Sequence, residues 1–126
     1  MGIITVDTRD RKPIWEQLTD NIKSLILRGI FKPDEQLPGV RTLAGELAIN
    51  PNTIAKAYAE LERQGIIYSI QGRGSFVCDN IEGLRGTQRS EAAAELEKAL
   101  GKALGAGVSK EDIIKMTEEI WRDKND

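Results

Sequence analysis

The stretch INPNTIAKAYAELERQG, residues 49–65, decides the reading of the chain. Its later part is a plain amphipathic helix, with Ile54, Ala57, Tyr58 and Leu61 recurring at spacings of three and four on one side. Its front end is polar and almost uncharged. Asn50 suits the N-cap, because its side-chain oxygen can accept from first-turn amides, and Pro51 suits the first helical position. Asn52 and Thr53 are then not needed for capping. Gly65 follows where a left-handed residue commonly ends a helix.

Outward from this helix the pattern is regular. Ile3-Ile4-Thr5-Val6 is a β-branched run read as a short edge strand. Pro13 opens a helix whose Ile14, Leu18, Ile22, Leu25 and Ile26 form one face, and Gly29 stops it after Arg28. FKPDEQLPG (31–39) reads as a turn-rich connector with two prolines. A second helix over about 40–48 carries Val40, Leu43, Ala44 and Leu47, and Ile49-Asn50 makes a tight turn. After the third helix, IIYSI (66–70) and SFVC (75–78) flank Gln71-Gly72-Arg73-Gly74, a β-hairpin with a glycine-rich tip. The GxG within it is a poor nucleotide-binding signal, since it lies between strands and opens no helix.

Residues 79–90 are polar with two glycines and read as a linker. Beyond them a helix over about 91–104 carries Leu96, Leu100 and Leu104. Gly105-Ala106-Gly107 breaks it, and Ser109 with Asp112 forms a capping-box pattern that starts a last helix bearing Ile113, Met116, Thr117, Ile120 and Trp121. Two short helices bury too little apolar surface to stand alone, so Leu96, Leu100, Leu104, Ile113, Ile120 and Trp121 are expected to pack on the main domain or on a second copy. The expected fold is mainly α with a small β-hairpin. A winged helix-turn-helix over 1–78, a linker over 79–90 and a helical dimerisation segment over 91–126 make up the chain.

Composition bounds the chemistry. The chain has 126 residues, one cysteine and no histidine. Cys78 therefore forms no internal disulfide and has no histidine partner for a metal site or catalytic dyad, which leaves a small buried residue at a strand end as the favoured reading over a redox sensor. Without histidine the usual general base near neutral pH is missing, so an enzyme is not expected, and no cofactor is implied. No apolar run approaches the roughly 20 residues of a membrane span, and the first 20 residues lack the unbroken apolar core of a signal peptide. A cytoplasmic protein is expected. Net charge is −2, with ten basic against ten acidic residues over 1–80 and eight against ten over 81–126. A nucleic-acid function must therefore rest on where a few cations sit.

Such a function suits the central arrangement. A three-helix core would hold the third helix rigidly, with its outer face free for a major groove about 12 Å wide. An amide matches the adenine edge and a threonine methyl can touch the thymine methyl, so Asn52 and Thr53 are candidate base contacts, beside Asn50. Lys56, one turn on, is assigned to phosphate. Arg41 lies near the start of the helix that crosses the DNA backbone. Arg73, between Gly72 and Gly74 with Gln71 beside it, suits the rim of a narrow minor groove. The partner is then double-stranded DNA, and a homodimer would present two recognition helices to a palindromic operator.

The segment from Pro13 to Val77 resembles the DNA-binding domain of GntR-type bacterial transcriptional regulators. GxxxPDEQLP (29–38), RTLA (41–44), LERQGII (61–67) and GRGSFV (72–77) carry the resemblance. NPNTIAKAY (50–58) and the short two-helix tail are similar to the YtrA-like subfamily, whose tail dimerises. The resemblance implies a homodimeric repressor at a palindromic operator, often controlling an ABC-transporter operon and its own gene. It places the family's DNA contacts on Arg41, on Asn50, Asn52 and Thr53, and on Gln71, Gly72 and Arg73. Many members have serine, an N-cap and possible phosphate donor, where this chain has Gly39. Many also have arginine where it has Pro51 and Ala55, so A·T-rich half-sites are expected over guanine readout. Two alternatives are a small-molecule- or protein-binding module on this scaffold, and the head of a regulator fused to a PLP-binding, aminotransferase-like domain. The remaining tail is far too short for the latter, and no cluster of arginine, aromatic or metal-ligand residues points to an effector pocket.

Overall fold

A computed structural model describes residues 2–125. Its elements run α1 (Ile14–Leu27), α2 (Val40–Leu47), α3 (Pro51–Arg63), β1 (Ile67–Ile70), β2 (Gly74–Val77), α4 (Ile81–Gly105) and α5 (Lys110–Asn125). The chain divides into two compact units, Met1–Arg85 and Gly86–Asp126.

The first unit is built on the apolar faces that the spacing marks out. Leu18, Ile22 and Ile26 of α1, Leu43 of α2 and Ile54 and Leu61 of α3 are almost wholly withdrawn from solvent, together with Ile66 and Val77 of the hairpin. Each such side chain contributes roughly 1.5–3 kcal/mol. The helix ends are set locally. After α1, Ile30 N–H donates to Leu25 O at 2.9 Å and Gly29 N–H to Ile26 O at 3.0 Å, with Gly29 at φ 78°. After α3, Ile66 N–H donates to Leu61 O and Gly65 N–H to Glu62 O, both at 3.0 Å, with Gly65 at φ 76°. Both are Schellman ends, in which a left-handed residue lets the chain turn back over orphan carbonyls.

β1 and β2 pair antiparallel in the register Ile67↔Val77, Tyr68↔Phe76, Ser69↔Ser75 and Ile70↔Gly74. The connector before α2 does more than turn. Gln36 bridges Phe76, Leu37 N–H donates to Ser75 O at 2.8 Å, and Val77 N–H donates to Glu35 O at 2.9 Å. A stub of third strand thus covers the outer edge of β2, and the long-range pairing behind it has no periodic signature.

Two expectations fail. Residues 3–6 form no strand: Thr5 N–H donates to Asn21 Oδ1 at 3.1 Å and Asp7 N–H to Gln17 Oε1 at 2.8 Å, so α1 side chains satisfy backbone donors that a ladder would have taken, while Ile4 alone is buried. Nor is 79–90 a loop, because α4 begins at Ile81 and runs unbroken through it. Asn80 Oδ1 accepts from Gly83 N–H at 3.1 Å and so caps the helix. Ile81 is buried, Leu84 packs against the core, and Arg85 pairs with Glu82 while donating from Nε to Leu27 O at 2.7 Å. These contacts outweigh the roughly 1 kcal/mol that each interior glycine costs a helix.

In the second unit Ser109 Oγ accepts from Asp112 N–H at 3.1 Å, starting α5 as its capping pattern requires. No described side chain of this unit is buried. Leu96, Leu104, Ile120 and Trp121 are 61%, 69%, 55% and 72% exposed, and Leu100 is exposed as well. Only Ile113 of the expected stripe is partly covered.

Leu61→Ala should destabilise the first unit by about 2–5 kcal/mol, since it opens a cavity where α3 meets the core. Chemical denaturation followed by circular dichroism checks this, and a loss below 1 kcal/mol would contradict the packing described.

Candidate nucleic-acid interface

The front of α3 is organised by one hydrogen bond. Asn50 sits at the N-cap with extended backbone (φ −60°, ψ 129°), and its Oδ1 accepts from Asn52 N–H at 2.8 Å. Thr53 N–H donates to Asn50 O at 3.0 Å. Pro51 brings no amide hydrogen to be satisfied. The carboxamide oxygen of Asn50 is thereby engaged in the cap, which turns its NH₂ donors to the outside. Asn52 is exposed, and its side chain makes no hydrogen bond among the described residues, while Thr53 is half-buried.

The outward face of α3 continues through Ala55, Lys56 and Ala59, all exposed. Small side chains there let the helix backbone approach a surface closely, and alanine suits apolar contact with thymine methyls. The periodicity that marks the inner face would have found Ala59 as well. At the far end, Arg63 is not free for a partner. Its guanidinium forks onto Glu60 at 2.8 and 2.6 Å, and Gln64 donates to the same carboxylate at 2.5 Å. Arg63 and then Gln64 hold the Glu60 pKa down to about 2. Lys56 makes no ion pair among the described residues; its Nζ lies 4.5 Å from the centroid of the Trp15 ring.

Arg41 is the second residue of α2, exposed and without a side-chain partner among the described residues. The start of α2 is tied to α3 by the Tyr58 hydroxyl, which donates to Pro38 O at 2.6 Å. Burial is the main cause raising the Tyr58 pKa, with the Glu46 charge adding to it, so the hydroxyl stays protonated and remains a donor. Ala48, at φ 55°, makes the sharp corner between α2 and α3, with Ile49 N–H donating to Ala44 O at 3.0 Å.

At the wing, Arg73 N–H closes a turn onto Ile70 O at 2.9 Å, and Gly72 at φ 79° supplies the positive φ that a type II turn needs at its third residue. Gln71, Gly72 and Arg73 are all exposed. Gln36 Nε2 donates to Arg73 O at 2.7 Å. A Cβ on Gly74, which sits at φ 117°, would lie 2.9 Å from that same Nε2. Gln36 thus fastens the tip to the connector, a role that a separation of 37 residues hides from sequence reading. Tyr68 stacks on Phe76 at 5.6 Å and donates to Asp34 Oδ1 at 2.8 Å, stiffening the wing's stem.

Other candidates lose support. Desolvation is the main cause raising the Cys78 thiol pKa, which is opposite to what a reactive thiolate needs. Among the described residues no cluster of histidine, cysteine or carboxylate could hold a metal, and no helix is long and apolar enough to cross a membrane.

The family model for bacterial regulatory proteins of the gntR family matches residues 15–77, the span from the first turn of α1 to the end of β2. The chain belongs to the GntR family. It is 39% identical over 126 residues to the HTH-type transcriptional repressor YtrA of Bacillus subtilis, covering 96% of this chain and 94% of that one. A transcriptional regulator from Oenococcus oeni superposes with a TM-score of 0.72 at 34% identity, covering 93% of this chain and 97% of that one. The DNA-binding domain of AraR, solved in complex with operator ORE1, superposes with a TM-score of 0.52 at 32% identity, covering 59% of this chain and 90% of that one. As a GntR member the chain is a DNA-binding transcriptional regulator and not an enzyme, on a winged helix-turn-helix fold.

Gln36→Ala should leave the fold intact and loosen the tip, weakening binding to DNA by about three- to tenfold. Gln36→Glu, which replaces the donor with an acceptor facing a carbonyl, should do no better than alanine. Affinities equal to wild type in both variants would show that the tip needs no such fastening.

Proposed function

We propose that the chain is a homodimeric repressor of a transporter operon and of its own gene, binding a palindromic operator with α3 in the major groove and the wing at the backbone or minor groove. The observation that carries this reading is the free Asn52 carboxamide. Asn50 alone satisfies the cap, so Asn52, with Thr53 beside it, is left to read a base edge, where a bidentate amide pair selects adenine. Asn50 adds its NH₂ group. Arg41, Lys56, Gln71, Gly72 and Arg73 hold phosphates or the groove rim, supplying sequence-independent affinity. Ala55 and Pro51, where arginine is common in the family, favour A·T-rich half-sites.

The dimer is supported by the second unit. Leu96, Leu100, Leu104, Ile120 and Trp121 stand exposed in a unit none of whose described side chains is buried, and Ile113 is only partly covered. Most helical stability in proteins comes from packing an apolar face, which this unit does not bury, and a second copy supplies the missing partner. Two recognition helices on one two-fold axis then match a palindrome.

Binding to the DNA upstream of its gene should fall by roughly 10³–10⁵ between 50 and 200 mM salt if six to ten phosphates are contacted. A folded protein with no specific binding at low salt would sink the repressor reading. Asn52→Ala should erase discrimination at one base pair per half-site, at about 1–3 kcal/mol, and an unchanged base preference would move the readout elsewhere. Leu104→Glu combined with Ile120→Glu should give monomers by light scattering; a persisting dimer would place the interface outside the tail.

A further inference from the structure

Trp15 lies in the first turn of α1, half-buried and packed against the core, whereas Lys56 lies on the exposed face of α3. They are far apart in sequence, yet the ammonium sits 4.5 Å from the ring centroid. Lys56 follows Asn52 by four residues, so both side chains lie on one helix face. The two cations of α3 are held in opposite ways. Arg63 is spent on the Glu60 carboxylate. Lys56 is held by a ring whose quadrupole attracts the ammonium without neutralising it.

The difference matters for a phosphate contact. A lysine on a flexible four-carbon stem spreads its charge over a wide volume, and fixing it at the moment of binding costs rotamer freedom. A ring anchored in the core removes part of that freedom beforehand and leaves N–H donors free. We propose that Trp15 is a positioning residue for DNA binding, its ring holding the charged Lys56 ammonium beside the recognition helix for a backbone phosphate. The inference rests on the reading that Lys56 meets phosphate.

The probe is a duplex selected from a random pool by the wild-type chain, with Kd measured between 50 and 200 mM salt. Lys56→Met should lower the slope of log affinity against log salt by about one per chain. Trp15→Leu should weaken binding about three- to tenfold, and Trp15→Phe should recover part of the loss, since phenylalanine is the weaker cation partner. In the Lys56→Met background, Trp15→Leu should change Kd less than about twofold, because the group it positions is gone. An equal loss in both backgrounds overturns the proposal and leaves Trp15 a packing residue. An unchanged salt slope in Lys56→Met overturns the phosphate reading itself. With Trp121→Phe making Trp15 the sole tryptophan, Lys56→Met should shift its emission in the free protein; identical spectra would show that the contact does not form.

Discussion

α3 buries Ile54, Ala57, Tyr58 and Leu61 against α1 and α2, with none of these side chains more than 6% exposed. That one face must be apolar and closely packed for the opposite face to be held still. The face of α3 proposed to meet DNA hangs from this contact, because Asn52, Lys56 and Ala59 ride on the same backbone cylinder as the buried residues. The Schellman end at Gly65 then sends the chain into the wing at a fixed point. A base-reading amide is useful only if its backbone does not drift, and the core supplies that constraint.

Around this fixed helix the polar groups divide their work. The Asn50 oxygen goes into the cap, and the Asn52 side chain makes no hydrogen bond among the described residues. Arg63 is neutralised by Glu60, whereas Lys56 rests on an aromatic face and keeps its charge. Arg41 and Arg73 stand exposed at the start of α2 and at the wing tip. A net charge of −2 is therefore no obstacle to binding a polyanion, since local placement of a few cations decides the field that the DNA meets.

Much of this was legible in the sequence. The apolar faces of α1, α2 and α3 repeat at helical spacing, Asn50-Pro51 is a local capping signal, and Gly72 and Gly74 mark the turn between two strands. Local physics sets each of these within a few residues. Where contacts between distant residues decide, the reading failed. Residues 3–6 have strand composition but lose their ladder to Asn21 and Gln17. Gly83 and Gly86 look like linker residues, yet the Asn80 cap, buried Ile81 and the Arg85 hydrogen bond to Leu27 hold α4 helical. Residues 34–37 read as a turn-rich connector, but a β2 edge was waiting for them.

The sequence by itself determined α1, α2, α3 and α5, the hairpin, the Asn50 and Ser109 caps and the kind of residue at the tip of α3, because periodicity and capping act between near neighbours. Tertiary structure alone decided which polar groups stay free. It set Gln36 on the carbonyl of Arg73, the Tyr58 hydroxyl on Pro38, and Lys56 over Trp15. Each of these joins residues at least 20 positions apart, and only packing of the whole core brings such pairs within a few ångströms.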